Sequence, residues 1–287
     1  GDHVATVDGT GFAAWDEGAR DDRIVIGKEF GCRFFWKVRR IEATIGTDHR
    51  NPTGRAIGDR ERLDDRELSD RIGFYAAHGL GHRHPEIVAA LHTQADTLLH
   101  GMGDVHPTAL KGQLCQALSD LTYGRWNGTT GKVVLSNSGF EAIETALKTA
   151  RLATGKKGLV AFQNGYHGLG YGSLLGTDLP KFHGPFDDQL APITTRLPFG
   201  GNEIDSLDGS DIGAVLVEPI QGRGGKIIPP PDFLPRLRDW CDQNDALLIF
   251  DEIYTGFHRS GKTFACEWDG VIPDLICLGK ALSGGFP

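Results

Sequence analysis

The chain has 287 residues, 39% of them hydrophobic and 24% charged, with a net charge of −8. That length allows one large domain or two modest ones, and that composition is globular. No apolar run approaches the ~20 residues of a membrane helix, no basic block suits nucleic acid, and the five cysteines form no CxxC pair. This excludes a membrane span, a zinc ribbon and a disulfide framework, and suits a reducing, cytoplasmic setting with no membrane or nucleic-acid partner. Glycine, at 40 residues, is the outlier. It falls in clusters between apolar runs, where backbone must turn tightly or approach a ligand.

Residues 1–63 form a first segment in which Ile24–Ile26 and Phe34–Trp36 read as short strands. Residues 48–71 hold 13 charged side chains in 24, of alternating sign, and read as an exposed linker. From about residue 72 the pattern sharpens. Pro85 opens a helix carrying Ile87, Val88, Leu91, Ala95, Leu98 and Leu99 on one face. Leu110, Leu114, Leu118 and Leu121 mark a second helix. Lys132–Ser136 is a strand, and a helix follows with Ala142, Ile143, Ala146, Leu147 and Ala150 inward and Gly155 as its C-cap. The runs 158–162, 213–217, 246–250 and 275–278 are continuously apolar, the habit of strands buried on both faces of a parallel sheet. A helix over 233–244 separates two of them. The sum is an α/β fold with a largely parallel sheet.

Ligands of such sheets gather at the carboxyl ends of the strands. Asn137, Ser138, Gly139 and Phe140 come after the first strand and open a helix, an anion site by its free N–H groups. Tyr166 and His167 sit between glycines after the second, where they can face a flat ligand. Glu218, Asp251–Glu252 and Gly279–Lys280 come after the next three. Each also fits a structural role as a connection, a cap or a solvated lysine. Together they supply a phosphate site, a stacking ring, a carboxylate and an amine on one sheet edge. That set suits pyridoxal 5′-phosphate: an anion keeps its ring nitrogen protonated, and a lysine forms the Schiff base with its aldehyde.

Gly256–Thr263 matches the GxxxxGK[ST] phosphate-loop string, and the strand 246–250 with Asp251–Glu252 looks like its acidic partner. A phosphate loop must leave its strand directly and open a helix. Here 251–255 intervenes, and Gly270 and Pro273 interrupt the stretch where that helix would run. His82 and His84 before Pro85 read as capping and packing residues, and no metal site is expected.

The stretches GLGHRHPEIVAAL (79–91), SNSGFEAIETALKTAR (136–151), NGYHG (164–168), EPIQGRGG (218–225), DEIYTGFHRSGK (251–262) and DLICLGKALSGGFP (274–287) together resemble the class III, fold type I aminotransferases, the acetylornithine, ornithine and 4-aminobutyrate group. The resemblance implies a three-layer, mostly parallel sheet over residues 64–287, the cofactor-binding large domain. It implies Lys280 as the Schiff-base lysine and catalytic base, Asp251 as partner of the pyridinium nitrogen and Tyr166 as the stacking ring. Ser138, Gly139 and Phe140 become the phosphate turn, and Glu218 a supporting residue. A small-molecule amino donor, a keto acid or aldehyde acceptor and a homodimer are implied with them. An aminomutase, a decarboxylase or a non-catalytic paralogue on the same scaffold remains an alternative.

Three departures stand out. The phosphate turn usually reads Ser-Gly-Thr, so Phe140 removes a hydroxyl. Tyr254 stands where ornithine-type members have glutamine, and a phenol can still donate there. Arg223 replaces a glutamate that pairs with a carboxylate-binding arginine, which reverses the charge facing the substrate. The resemblance also implies further strands, a partner-facing threonine and a small domain beyond Pro287. The chain is therefore expected to be a partial record, lacking the C-terminal small domain. Alone it is expected to leave a sheet edge and apolar faces exposed, fold poorly, bind cofactor weakly and be inactive.

Overall fold

The computed structural model describes residues 23–28, 79–81, 83–101 and 105–286. Seven strands, all parallel, form one sheet: β1 (Arg23–Lys28), β2 (Gly131–Ser136), β3 (Gly158–Phe162), β4 (Thr194–Leu197), β5 (Ile212–Val217), β6 (Leu247–Asp251) and β7 (Leu275–Cys277). Their order is β2-β1-β7-β6-β5-β3-β4. The expected strand at Ile24–Ile26 is β1. It lies inside the sheet, pairing Ile24 with Lys132 of β2 and with Leu275 of β7. The expected strand at Phe34–Trp36, the linker at 48–71 and His82 lie outside the described residues. β4 has no apolar run to mark it: its TTRL sequence has a single aliphatic residue, and among the described residues it pairs only with β3.

Alternate residues of the central strands enter two separate cores. Val215 and Val217 of β5 join Leu248 and Phe250 of β6 and Ile276 of β7 on one face. There they meet helix α5 (Phe233–Gln243) through Phe233, Leu234, Leu237 and Trp240. Ala214, Leu216, Ile249 and Leu275 face the other way, onto helix α3 (Gly139–Thr154). The inward face of α3 is Ala142, Ile143, Ala146 and Ala150, with Leu147 partly buried. Its small residues let the helix lie close to the sheet, and it ends at Gly155 in the left-handed conformation (φ 70°) as expected. Helix–sheet–helix layering results, and each large core side chain contributes about 1.5–3 kcal/mol of burial.

The first two helices depart from expectation. Helix α1 (Pro85–Thr97) starts at Pro85 as expected, but none of its residues is buried. It stops at Thr97, so Leu98 and Leu99 lie beyond it, 44% and 61% exposed. Its extended C-cap backbone turns them out of the helical stripe. Helix α2 (Ala109–Ser119) leaves Leu110 57% exposed and buries Leu118. A π-helical segment, Asp120–Gly124, then rotates Thr122 and Tyr123 into the core, where the Tyr123 hydroxyl donates to the carbonyls of Pro273 (3.1 Å) and Asp274 (3.0 Å). His84 occupies the N-cap position of α1 but makes no side-chain cap bond, and its buried Nδ1 has no hydrogen-bond partner among the described residues.

Gly256–Thr263 forms turns leading to a short 3-10 turn at Ala265–Trp268, with no helix behind it. The phosphate-loop string is thus excluded on geometry. Among the described residues Cys241, Cys266 and Cys277 are free, buried thiols. No helix of the described residues is long and apolar enough to cross a membrane.

Candidate active site

Because every strand runs the same way, the residues after β2, β3, β5, β6 and β7 emerge on one edge of the sheet. Asp251 ends β6, and Lys280 begins a 3-10 turn, Lys280–Ser283, shortly after the Cys277 end of β7. Asp251 is 4% exposed and His167 equally so. His167 Nδ1 lies 2.8 Å from Asp251 Oδ2, while Asp251 Oδ1 accepts from the Ile253 N–H at 3.1 Å. Burial opposes the charged imidazole. The Asp251 hydrogen bond, the Asp251 charge and that of Glu218 outweigh it and raise the His167 pKa.

Glu218, 5% exposed, ties two loops together. Its Oε2 accepts from the Tyr166 N–H (3.0 Å) and its Oε1 from the Gly222 N–H (3.1 Å). Burial, and then the Asp251 charge against the pull of His167, raise its pKa. Lys280 is driven the other way: burial lowers its pKa, Arg223 and Arg259 add to this, and Asp251 and Glu218 hold it back. Its Nζ lies 5.4 Å from the Tyr254 ring centroid. A lysine pushed toward its neutral form carries the lone pair that a nucleophile or base needs.

The expected phosphate turn is built as a helix N-terminus. Ser138 is the N-cap of α3: its Oγ accepts from the Glu141 N–H at 3.4 Å and donates to Glu141 Oε2 at 2.8 Å. The pattern is the Ser-x-x-Glu of a capping box. The Ser138 hydroxyl is therefore engaged with Glu141. The anion donors of this turn are backbone N–H groups of Gly139 and Phe140, which have no intrahelical acceptor. Phe140 is 41% exposed and packs beneath Gly168, where an added Cβ would stand 2.4 Å from that of Phe140.

Tyr166 carries the Arg223 guanidinium over its ring at 4.4 Å, and Phe182 lies beside both, 5.2 Å from Tyr166 and 5.4 Å from Arg223. Arg223 is exposed and forms no ion pair among the described residues. Two further side chains complete the site: His167, singled out in the sequence beside Tyr166 as able to face a flat ligand, and Ile253, which carries no sequence signal of its own. His167 lies in a recognised loop, and only folding pairs it with Asp251, 84 residues away. Ile253 packs against both the phosphate turn and the lysine turn, since added Cβ atoms on Gly139 and Gly279 would each come within 3.1 Å of it. The described residues thus gather a helix N-terminus, an aromatic ring, a buried carboxylate–imidazole pair and a half-buried lysine. That donor set fits a planar, phosphate-bearing aldehyde. Among the described residues no cluster of ligating side chains could hold a metal ion.

A family model described as aminotransferase class-III matches residues 53–287. The chain is 38% identical over 223 residues to the acetylornithine aminotransferase of Methanosarcina acetivorans, covering 77% of this chain and 55% of that protein. It is 39% identical over 261 residues to the putrescine aminotransferase of Pectobacterium atrosepticum, covering 86% and 54%. Among solved structures, a PLP-bound amine transaminase from an uncultivated Pseudomonas species superposes with a TM-score of 0.68 at 30% identity, over 75% of this chain and 54% of that one. An ornithine aminotransferase from Toxoplasma gondii gives 0.66 at 29%, over 75% and 51%. The chain spans about half the length of the curated relatives it matches.

Proposed function

Since the chain belongs to the class-III aminotransferase family, we propose that it acts in a pyridoxal-phosphate-dependent aminotransferase. The observation that carries the reading is Lys280, half-buried directly after β7 with its pKa lowered, beside the sealed Asp251–His167 pair. The residues fit the cofactor. Lys280 would carry it through Nζ, and Asp251, oriented by His167 and the Ile253 N–H, would face its ring nitrogen. The N-terminus of α3 at Ser138, Gly139 and Phe140 would take its phosphate through backbone donors. Tyr166 and Ile253 would bound its ring, with Glu218 fixing the Tyr166 backbone. When bound, pyridoxal phosphate supplies an aldehyde and an electron-withdrawing ring that stabilises negative charge on the donor's amine-bearing carbon.

The protein's own part is positional and acid–base. Lys280 Nζ, its pKa lowered by burial, would move a proton from the donor carbon to the cofactor's former aldehyde carbon, and in the second half would move one from that carbon to the acceptor's carbonyl carbon. The negative charge of Asp251 is kept in place because His167 and a backbone N–H already satisfy both of its oxygens. Arg223, fixed against Tyr166 and Phe182, meets an acidic group of the donor or acceptor. The substrates are accordingly an amino compound and a keto acid or aldehyde.

The catalytic unit runs over 64–287, with segment 1–63 contributing β1 to its sheet. A cytoplasmic homodimer is part of the same reading. The homodimer part is supported by exposed apolar side chains on and beside α1 and α2, Leu80, Leu98, Leu99, Val105 and Leu110, which a second copy would cover. Spectroscopic titration with pyridoxal phosphate, followed by borohydride reduction and peptide mapping, tests the assignment. A tag on Lys280 is the expected result. A tag on Lys262 or on another lysine would remove Lys280 from the role.

A further inference from the structure

The edge strand β4 carries one charged residue, Arg196, aligned with Ala161 of β3. The proposed chemistry at Lys280 gives it no part. Its guanidinium reaches the end of a short helix, α4 (Tyr171–Gly176), where Nη2 donates to the Leu175 carbonyl at 3.1 Å and to the Thr177 carbonyl at 3.3 Å. Nε lies 3.2 Å from Asp178 Oδ1, close enough for charge attraction although that N–H is not aimed for a hydrogen bond. The last carbonyls of a helix lack intrahelical donors, so a cation there satisfies them and complements the helix dipole.

Thr177 and Asp178, which Arg196 holds, are bonded in turn to the loop 164–168. Asp178 Oδ2 accepts from the Asn164 N–H at 3.0 Å, and the Asp178 N–H donates to the Gly165 carbonyl at 2.9 Å. Thr177 Oγ1 accepts from the His167 N–H at 3.0 Å. Thr177 is fully buried, so no water stands ready to replace that bond. Asn164 holds a positive φ of 61°, which a residue with a side chain keeps where its surroundings fix it. The contacts therefore run from β4 through Asp178 and Thr177 to the backbone on both sides of Tyr166.

We propose that Arg196 is a positioning residue of the active site: acting through Asp178 and Thr177, it sets the loop that presents Tyr166 and brings His167 to Asp251. It touches neither cofactor nor substrate. The proposal rests on the aminotransferase reading only for what Tyr166 and Asp251 serve. The Arg196 and Asp178 side chains are 30% and 26% exposed, so water can take over part of what a substitution there removes, and the fold survives. The bonds of His167 to Thr177 and to Asp251 are buried, and a displaced loop loses them without such replacement. The effect therefore falls on the loop and not on the central strands. An arginine that only blunted an edge strand against pairing with other chains would leave the loop as it is.

The test uses the 287-residue chain without cofactor. Arg196→Met keeps an unbranched stem and removes the charge and the donors. Amide hydrogen exchange read by NMR should show Asn164 and His167 exchanging about tenfold faster, the effect of roughly one net hydrogen bond. Val215 and Ile249, in the central strands β5 and β6, should exchange as in the native chain. The His167 Nδ1 proton, held against Asp251 at 2.8 Å, should give a slowly exchanging downfield resonance, identified by its absence from His167→Asn. That resonance should weaken or vanish in Arg196→Met and return in part in Arg196→Lys, whose ammonium can meet Asp178 or the carbonyls but lacks the guanidinium fork that spans both. Unchanged exchange at Asn164 and His167 would overturn the proposal. So would faster exchange spread evenly over the central strands, or an undiminished His167 resonance in Arg196→Met. None of these outcomes bears on the Lys280 assignment, which the borohydride-fixed peptide tests separately.

Discussion

The His167–Asp251 pair is open to a direct energetic test. Both side chains are nearly sealed from solvent, and their contact is 2.8 Å. Removing one partner of a buried, hydrogen-bonded charge pair leaves the other uncompensated, at a cost of about 3–5 kcal/mol. Asp251→Ala should therefore lose about that much stability, and more than His167→Ala, because the Ile253 N–H at 3.1 Å is orphaned as well. Asp251→Asn should fall between, since an amide oxygen still accepts from Ile253. The double variant His167→Ala/Asp251→Ala should lose less than the sum of the singles. A hydrogen bond to a charged group contributes about 1.5–3 kcal/mol, which sets the expected coupling. Urea denaturation of the native chain, the two alanine singles and the double variant, without cofactor and at one pH, closes the cycle. A coupling energy below about 0.5 kcal/mol, the usual scatter of additive sites, would mean that the two groups do not form the pair described.

The pair also has a pH signature. The His167 pKa is raised above its ordinary 6.5 in the folded chain, so its stabilisation is fully present below 6.5 and is lost as pH rises through the folded value. The stability advantage of the native protein over His167→Asn should thus be larger at mildly acidic than at mildly alkaline pH; a constant difference in urea midpoint would contradict this. Lys280→Ala should eliminate covalent cofactor attachment, read as loss of the borohydride-fixed peptide, while leaving the far-ultraviolet dichroism unchanged. Arg223→Glu should shift donor preference from acidic compounds toward ω-diamines and ω-amino acids. An unaltered profile in a donor screen would show that Arg223 meets no substrate group. Gly168→Ala combines a left-handed φ of 122° with a 2.4 Å approach to Phe140, and should lower stability by about 1–3 kcal/mol or more. Thermal melting of Gly168→Ala with and without Phe140→Gly, which removes the approached Cβ, separates the two causes.

How much of this is legible in the sequence depends on whether the signal is local. The apolar runs of β3, β5, β6 and β7 and the alanine-lined face of α3 depend on periodicity and strand burial, which are properties of consecutive residues. So are the positions of Ser138, Asp251 and Lys280 at the ends of those elements, and the failure of Gly256–Thr263 as a phosphate loop. Parallel strand direction then suffices to expect one shared edge. The capping box Ser138–Glu141 is equally local, a hydroxyl and a carboxylate three residues apart.

What only the tertiary structure decided were the long-range pairings. β1 enters the sheet between β2 and β7, a placement set by hydrogen bonding to strands more than 100 residues away and not by any pattern within RIVIGK. Leu98, Leu99 and Leu110 repeat at helical spacing yet end exposed, because periodicity reports a possible face and not whether another layer covers it. His167 is a candidate from its loop, but its partner Asp251 comes only with folding, and Arg223 acquires its place only through Tyr166 and Phe182. Gln221 Oε1, buried without a hydrogen-bond partner among the described residues, is the same kind of fact. An amide's hydrogen-bond capacity is written in its residue type, but whether a partner reaches it depends on the loops that fold around it.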